Sequence, residues 1–424
     1  MNEEDRTTSR RGWTRRAFLA RGAAALGAAA VGPAFGLISG CRAGRGTPDA
    51  AVAPEGAEAA ELPVRSEFPM VDVAGEPHAI GEAIGRRFAG EIRAVFRERR
   101  GWFDELARFA TNEGRAAFEA MVEASRRHVP EVVEEVRGLA DGAHVPFRDL
   151  LVLNARCELE AAQLAPAANP GCSTIVIAGP DGLFVAHNED GDLAWRGRMF
   201  LVRVRPRNGV RFLALCYAGL VPGNAPAIND RGLAIVTNYI GTVAWRPGIP
   251  RYFLDRRALE ATGPDEAVER VLHPERGYGF HHVFASAGDG RPRAVAVEAT
   301  PTRSAVRELT GTYVHTNHLV LDELREEPQV ESYLRKSSLP RYEALTGALA
   351  AVADPGMLGP ADLIHLLSSH EGAPYSPCRH PEGDVRGETL ACAVFDVPRR
   401  RLRLVAGNPC EAGWAEYLVG EGGR

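Results

Sequence analysis

Asn169-Pro170-Gly171-Cys172-Ser173-Thr174-Ile175-Val176-Ile177 is the stretch on which the fold turns. A Pro-Gly pair stops the chain, a cysteine follows at once, and a β-branched run then leads to Gly179-Pro180. An apolar run bounded by turn residues reads as a buried strand. Cys172 therefore opens a strand, behind a glycine with no side chain to shield its carbonyl. A thiol so placed can attack the peptide bond just before it, leaving Cys172 as a new N-terminus with its own amine. Cysteine is also among the most buried residue types, and the same position suits plain packing. The flanking chain has to decide between the two.

Upstream the pattern is helical. A short strand is expected over 68–73, then a helix from His78 to about Glu98 with Ile80, Ile84, Phe88, Ile92 and Val95 on one face. Gly81 and Gly85, four apart, would admit another element closely. Further helices are expected over 102–110, 116–128, 132–141 and 147–161. The pattern breaks at Gln163-Leu164-Ala165-Pro166-Ala167-Ala168-Asn169-Pro170, an exposed loop of the kind where chains are cut.

Downstream the pattern changes to strands, expected over 173–177, 183–186, 199–204, 212–216, 226–228 and 233–237. Helices over 252–261 and 264–272 follow, then strands over 282–287, 294–299 and 312–314. A long helix over 332–349, a shorter one over 361–367 and a hairpin of 390–395 with 402–406 complete the chain. Hairpins and helices in separate blocks imply an α+β fold with antiparallel sheet, not βαβ units. No repeat, Gly-rich phosphate loop or Gly-x-Ser-x-Gly elbow is present.

The N-terminus reads as an address. Thr14-Arg15-Arg16-Ala17-Phe18-Leu19 is a twin-arginine pattern, and 22–38 suits a signal core better than a membrane span. Leu37-Ile38-Ser39-Gly40-Cys41 resembles a bacterial lipobox with Cys41 as the lipidated residue. The competing reading is a plain signal cleaved near Ala43. Residues 42–63 are rich in Ala, Gly, Pro and Glu and read as a flexible linker. Export is expected, with membrane contact through an N-terminal lipid.

Composition narrows the function. Among 424 residues, 45% are hydrophobic and 25% charged, as in a soluble globular protein. A formal net charge of -5 gives no basic excess for nucleic acid. Seven cysteines, an odd count, are no disulfide scaffold. Cys216 and Cys392 read as core and Cys157 lies on a helix. Cys378 and Cys410 lie in loops and could pair outside the cytoplasm. His281-His282 and His315-x-x-His318 are too sparse for a metal site, so neither metal nor cofactor is expected.

Four polar places could build a site. His187-Asn188-Glu189-Asp190 follows the second strand after Cys172, and a hairpin would return Asp190 toward Cys172. The bland alternative is a polar turn. Asn238 ends one apolar strand and Asn317 follows another, within His315-Thr316-Asn317-His318. Each amide could donate to an oxyanion or merely satisfy strand-end backbone. Arg341, in Ser337-Ser338-Leu339-Pro340-Arg341, could pin a carboxylate or lie on the surface.

Taken in order, Gly171-Cys172-Ser173-Thr174, Asn188-Glu189-Asp190, His315-Thr316-Asn317-His318 and Ser338-x-x-Arg341 resemble the acyl-coenzyme A:6-aminopenicillanic acid acyltransferase family of N-terminal nucleophile hydrolases. The resemblance runs from about Val71 to Tyr417. It implies a four-layer αββα fold with two packed antiparallel sheets, and a precursor that cuts itself between Gly171 and Cys172. It also implies Cys172 as nucleophile, Asp190 beside it, Asn317 as catalytic asparagine and Asn238 as oxyanion donor. Arg341 is similar to an arginine of the choloylglycine relatives, which carry another arginine where His187 stands here. Residues 64–171 would form a helical leader and 172–424 the nucleophile-bearing chain, held together as a heterodimer within one domain. The expected substrate is a small N-acyl amide or acyl thioester. An inactive lipid-anchored binding protein and a thiol peptidase for short peptides are the rival expectations.

Overall fold

The computed structural model describes residues 67–163, 171–179, 182–288, 291–331, 334–383 and 385–419. The expected signal, Cys41, the linker and the loop 164–170 lie outside the described residues.

Strand β1 (Met70–Gly75) leads into α1 (Pro77–Arg87). Proline in a first helical turn loses no hydrogen bond, because the N–H it lacks would have had no partner. The single helix expected to Glu98 is two: α2 (Ala89–Glu98) follows a break at Phe88. The buried Phe88 ring stacks on Phe200 with centroids 3.6 Å apart. Helices α3 (Arg100–Thr111), α4 (Arg115–His128) and α5 (Pro130–Ala143) come next. The close approach expected at Gly81 and Gly85 is made by α5. A Cβ at Gly81 would lie 1.9 Å from the Glu135 carbonyl, and one at Gly138 the same distance from the His78 carbonyl. The helix expected over 147–161 is also two, α6 (Phe147–Asn154) and α7 (Arg156–Ala162). The break follows the buried Asn154. Its amide donates to Leu150 O and Gly219 O and accepts from Val221 N.

The strands form two sheets. The first runs β1, β4 (Met199–Pro206), β5 (Phe212–Tyr217), β6 (Ala227–Asn229), β7 (Ala234–Asn238), β8 (His281–Ser286), β9 (Arg293–Ala299), β10 (Ser304–Leu309). Its β1/β4 pair is parallel, with Met70 opposite Leu201. The second runs β11 (Gly311–His315), β2 (Gly171–Ala178), β3 (Leu183–Asp192), β12 (Gly387–Asp396), β13 (Arg401–Ala406), β14 (Trp414–Leu418), all antiparallel. Two edge strands, β10 and β14, go beyond the sequence expectation. β10 exposes Val306, Arg307 and Glu308 around a buried Ala305, so no apolar run announces it.

Side chains alternate along each strand of the second sheet and so serve two cores. Val176, Val185 and Phe395 share one core with Phe200, Leu215 and Phe284 of the first sheet and with Ile84 and Val136 of α1 and α5. Ile175, Ile177 and Val394 share the other with α10 (Leu339–Ala350) and α11 (Pro360–Leu367), through Leu345, Leu349, Leu363 and Ile364. The layers are therefore helix, sheet, sheet, helix. Helices α8 (Arg251–Ala258) and α9 (Pro264–Val271) lie between β7 and β8 in sequence. The long helix expected over 332–349 begins as a π-type turn at Leu334–Ser338 and becomes regular only at Leu339.

Candidate active site

Two adjacent strands place the site. β3 does not stop at Ala186 but continues to Asp192, so His187-Asn188-Glu189-Asp190 is buried strand and not a turn. Cys172 pairs with Glu189 and Gly171 with Asp190. Directly opposed residues of an antiparallel pair project to one face. Cys172 and Glu189 therefore point toward the first sheet, and Asp190 points to the opposite face. The hairpin does return Asp190 toward Cys172, but the carboxylate beside the sulfur is Glu189, with Oε1 3.9 Å from Cys172 Sγ.

The strand start is held from the side. β11 pairs with β2 up to His315 opposite Thr174. Continued by two residues, that register would set residue 317 opposite Cys172. The backbone leaves the ladder there, and the Asn317 side chain takes its place: Oδ1 accepts the Cys172 N–H at 3.0 Å. Arg341 donates to the same Oδ1 at 2.5 Å, to Cys172 O at 2.6 Å and to Ser173 Oγ at 3.0 Å. Arg341 is fully buried, so the surface reading of it is wrong. Asn317 Nδ2 donates to Tyr239 O at 2.9 Å, so that N–H is already engaged.

Asn238 lies in the same core but makes no hydrogen bond to Cys172 among the described residues. Its Oδ1 accepts from Thr174 Oγ1 and His281 Nδ1, each at 2.8 Å. Both contacts fall on the oxygen, so the amide nitrogen points away, and this buried Nδ2 has no partner among the described residues. Asn317 Nδ2 thus keeps one of its two N–H groups beyond the bond to Tyr239, and Asn238 Nδ2 keeps both among the described residues.

A proton path follows from the same contacts. A hydroxyl has one hydrogen. Thr174 donates it to Asn238, so its oxygen accepts from His187 Nδ1 at 2.8 Å. That leaves His187 Nε2 facing Glu189 Oε2 at 3.2 Å, and a single proton lies between them. Tyr217 donates to Glu189 Oε1 at 2.6 Å. Burial pushes the Cys172 thiol well above its usual range. The Glu189 and Asp190 carboxylates add to this, and the Asp190 backbone and Arg341 oppose it. The sulfur is a thiol in need of a base.

On the opposite face, Asp190 Oδ1 accepts from Thr389 at 2.7 Å, and Oδ2 lies 3.7 Å from Arg379 Nε. Burial raises the Asp190 carboxyl, while Arg379, Arg341 and Thr389 counter it. A Cβ on residue 171 would lie 2.5 Å from Arg379 Nη1. A side chain at 171 would therefore displace this guanidinium, a reason for glycine distinct from an open carbonyl. Glu189 and Arg379 were not singled out by sequence. Glu189 looked like part of a turn, and Arg379 sits in an aperiodic loop between α11 and β12.

Over Cys172, Glu189 and Asp190 lies a cavity of about 90 Å³, walled by Trp102, Trp195, Tyr239, Tyr252 and Arg156 among others. Substrate pockets usually hold about 300–1,000 Å³, so this one as it stands admits only a small group. The sparse histidines are held by other side chains. His281 and His315 stack with centroids 3.5 Å apart, His315 meets Glu298 at 3.0 Å and His282 meets Asp255 at 2.8 Å.

The chain is similar to known proteins. A family model for acyl-coenzyme A:6-aminopenicillanic acid acyl-transferase matches residues 177–411, a span that includes Asp190, Asn238, Asn317 and Arg341 and begins just after Cys172. The chain is 27% identical over 380 residues to the beta-alanyl-dopamine/carcinine hydrolase of Drosophila melanogaster, spanning 82% of this chain and 95% of that one. It is 25% identical over 343 residues to the 40 kDa form of acyl-coenzyme A:6-aminopenicillanic-acid-acyltransferase from Emericella nidulans, spanning 79% and 91%. Among solved structures, a mutant conjugated bile acid hydrolase from Clostridium perfringens matches with TM-score 0.40 and 12% identity. That match spans 58% of this chain and 96% of the other.

Proposed function

The chain belongs to the acyl-coenzyme A:6-aminopenicillanic acid acyl-transferase family, and from that premise we propose that Cys172 is the nucleophile of a self-activating amidohydrolase or acyltransferase. The αββα layers are those of the N-terminal nucleophile hydrolases, and the chain is an enzyme of amide hydrolysis or N-acyl transfer. One observation carries the finer reading. The Cys172 backbone is gripped by Asn317 and Arg341 on one side, while its thiol faces, on the other, the Glu189 carboxylate oxygen that also accepts from Tyr217.

The first reaction is the cut. Cys172 Sγ attacks the Gly171 carbonyl, the S–C bond forms, and the C–N bond to Cys172 breaks. The thiol proton passes through Glu189 to the departing nitrogen, which becomes the α-amine of Cys172. Water then hydrolyses the thioester, freeing the Gly171 carboxylate and restoring the thiol. Glu189 is needed at this stage because no α-amine yet exists to serve as base.

The second reaction repeats on substrate. The new α-amine, with a pKa near about 7.7–8.0, takes the thiol proton. Asn317 Oδ1 already sits at the atom that becomes this amine and holds it. The thiolate attacks the substrate carbonyl, Asn238 Nδ2 faces the oxyanion, and the leaving amine departs with the proton. The acyl thioester is released to water or to a second amine. The substrate is a small N-acyl amide. The relatives' names, a hydrolase of beta-alanyl-dopamine and carcinine and a penicillanic acid acyltransferase, support that class.

The protein is exported by the twin-arginine route and anchored through a lipid on Cys41. The signal and lipobox patterns support this. Incorporation of a tagged fatty acid that survives in the native protein and is lost in Cys41→Ser tests the anchor.

Intact mass tests the main reading. The wild-type protein should give two pieces divided between Gly171 and Cys172, and Cys172→Ala one whole chain. A purified, active wild-type chain that stays whole would overturn the self-cut.

A further inference from the structure

Away from Cys172, two thiols and two imidazoles converge. His370, Cys378 and His380 come from the connection between α11 and β12, and Cys410 from the connection between β13 and β14. His370 Nε2 lies 3.2 Å from His380 Nε2, and His380 Nε2 lies 3.2 Å from Cys410 Sγ. Cys378 Sγ lies 3.7 Å from His380 Nε2 and 3.5 Å from Cys410 Sγ. All four donor atoms fall within 4.8 Å of one another.

We infer that His370, Cys378, His380 and Cys410 bind one zinc ion. Zn–S bonds of about 2.3 Å and Zn–N bonds of about 2.0–2.1 Å, set at tetrahedral angles, fix the distances between ligand atoms. They come to about 3.3 Å for N to N, about 3.5 Å for N to S and about 3.8 Å for S to S. The four separations given above lie within about 0.3 Å of this set, and the remaining two, from His370 to the sulfurs, lie within 4.8 Å. Two soft thiolates with two imidazoles in a tetrahedron select zinc over magnesium, calcium or manganese. A disulfide, the other state open to Cys378 and Cys410, needs sulfurs about 2.05 Å apart and leaves both imidazoles without a purpose.

The surroundings suit a metal. Asn408 Nδ2 donates to Cys378 Sγ at 3.4 Å, as an amide does toward a thiolate. The far nitrogen of His380, Nδ1, lies 3.7 Å from Glu411 Oε1, an ion-pair distance too long for a hydrogen bond, on the side where a ligating imidazole commonly has a carboxylate partner. Four protein ligands leave no open position, so the ion is structural and takes no part in the reaction. Its place explains its use. Cys378 and His380 flank Arg379, the residue packed against Gly171 and Asp190. A metal that fixes both neighbours of Arg379 fixes the guanidinium beneath the proposed cut.

Full-length, untagged protein, supplied with zinc and dialysed against metal-free buffer, is measured by elemental mass spectrometry. About one zinc per chain is expected, falling below about a tenth in Cys410→Ser and in His370→Ala. Zinc-edge X-ray absorption of the wild-type protein needs no variant, and should give two sulfurs at about 2.3 Å and two nitrogens at about 2.0–2.1 Å. A zinc-free wild-type chain, a shell without sulfur, or zinc fully retained in both variants overturns the site. So does a peptide mass showing Cys378 joined to Cys410. None of these readings depends on Cys172 being the nucleophile.

Discussion

Glu189 and Asp190 are neighbours in sequence with opposite surroundings, because a strand turns alternate side chains to alternate faces. Glu189 meets the thiol and Asp190 meets Arg379. Glu189→Gln keeps an acceptor for Tyr217 but cannot take a proton. The self-cut should slow by about 10²-fold or more, seen as precursor persisting on a denaturing gel. Cutting at the wild-type rate would assign the base elsewhere. Asn238→Ala should lower kcat of the cut enzyme by about 10²–10³-fold with little change in KM. A rise in KM alone would make Asn238 a binding group. Glu158 offers a pH test. Burial lifts it to about 7 from a usual 4.5, against the Arg251 N–H that donates to it at 2.8 Å. The folded form then holds this proton more tightly than the unfolded chain does. Its contribution to stability is whole below about pH 4.5 and fades as pH rises to about 7, a swing of about 3 kcal/mol. The melting temperature of the wild type relative to Glu158→Gln should therefore fall between those limits. A constant difference across them rejects the assignment. At this scale Cys172, Asn238 and Asn317 stand at strand ends that pattern reveals, whereas Asp190 reads as a turn and Arg341 as a residue inside a long helix until the structure places them. Glu189 was not legible either, since its polarity imitates a turn until the partners Tyr217 and His187 are seen.

Among elements, α1 and α5 pack backbone to backbone. Gly81 and Gly85 face Glu135 and Leu139, and Gly138 and Gly142 face His78 and Glu82, each with room for hydrogen alone. Gly138→Ala should lower the unfolding free energy by about 1–3 kcal/mol, read from the urea midpoint. Gly347, inside α10, has open space around it. Gly347→Ala should instead raise stability by about 0.5–1 kcal/mol. Two substitutions of the same kind with the same sign would refute the packing argument. The glycine pair of α1 announced a close neighbour by its spacing, but nothing local names which helix supplies it. The same limit explains β3. Its last residues are polar, and only their partners on β2 and β12 and in the loop beside Arg379 make them buried strand. β1 was legible as a strand, whereas its parallel pairing with β4 depends on a meeting across more than a hundred residues of chain.

In the whole molecule, the segment before Gly171 and the segment after it build one interior. Ile84 and Val136 pack in the same cluster as Val176, Phe200 and Phe284, and β1 completes an edge of the first sheet. Severing one peptide bond between Gly171 and Cys172 leaves that interior intact. The two pieces should run together in native gel filtration and part only in denaturant. Separation under native conditions would show that the leader is discarded. The change from helical to strand-rich pattern at Cys172 was visible in sequence. The stacking of two sheets was legible only through the family resemblance and not from the strand pattern, because a strand buried on both faces reads alike whichever layers cover it.

Arg341, Arg379 and Thr389 all lie far beyond Cys172 along the chain, and β12 lies beside β3 in the sheet. A ribosome that has just made Cys172 has therefore made a thiol and a glycine but none of the groups that press them together. On the proposed reading the cut waits for the tail of the polypeptide. A chain that stops short of β12 remains a harmless precursor, and a severed Gly171–Cys172 bond becomes a record that synthesis and folding were both finished.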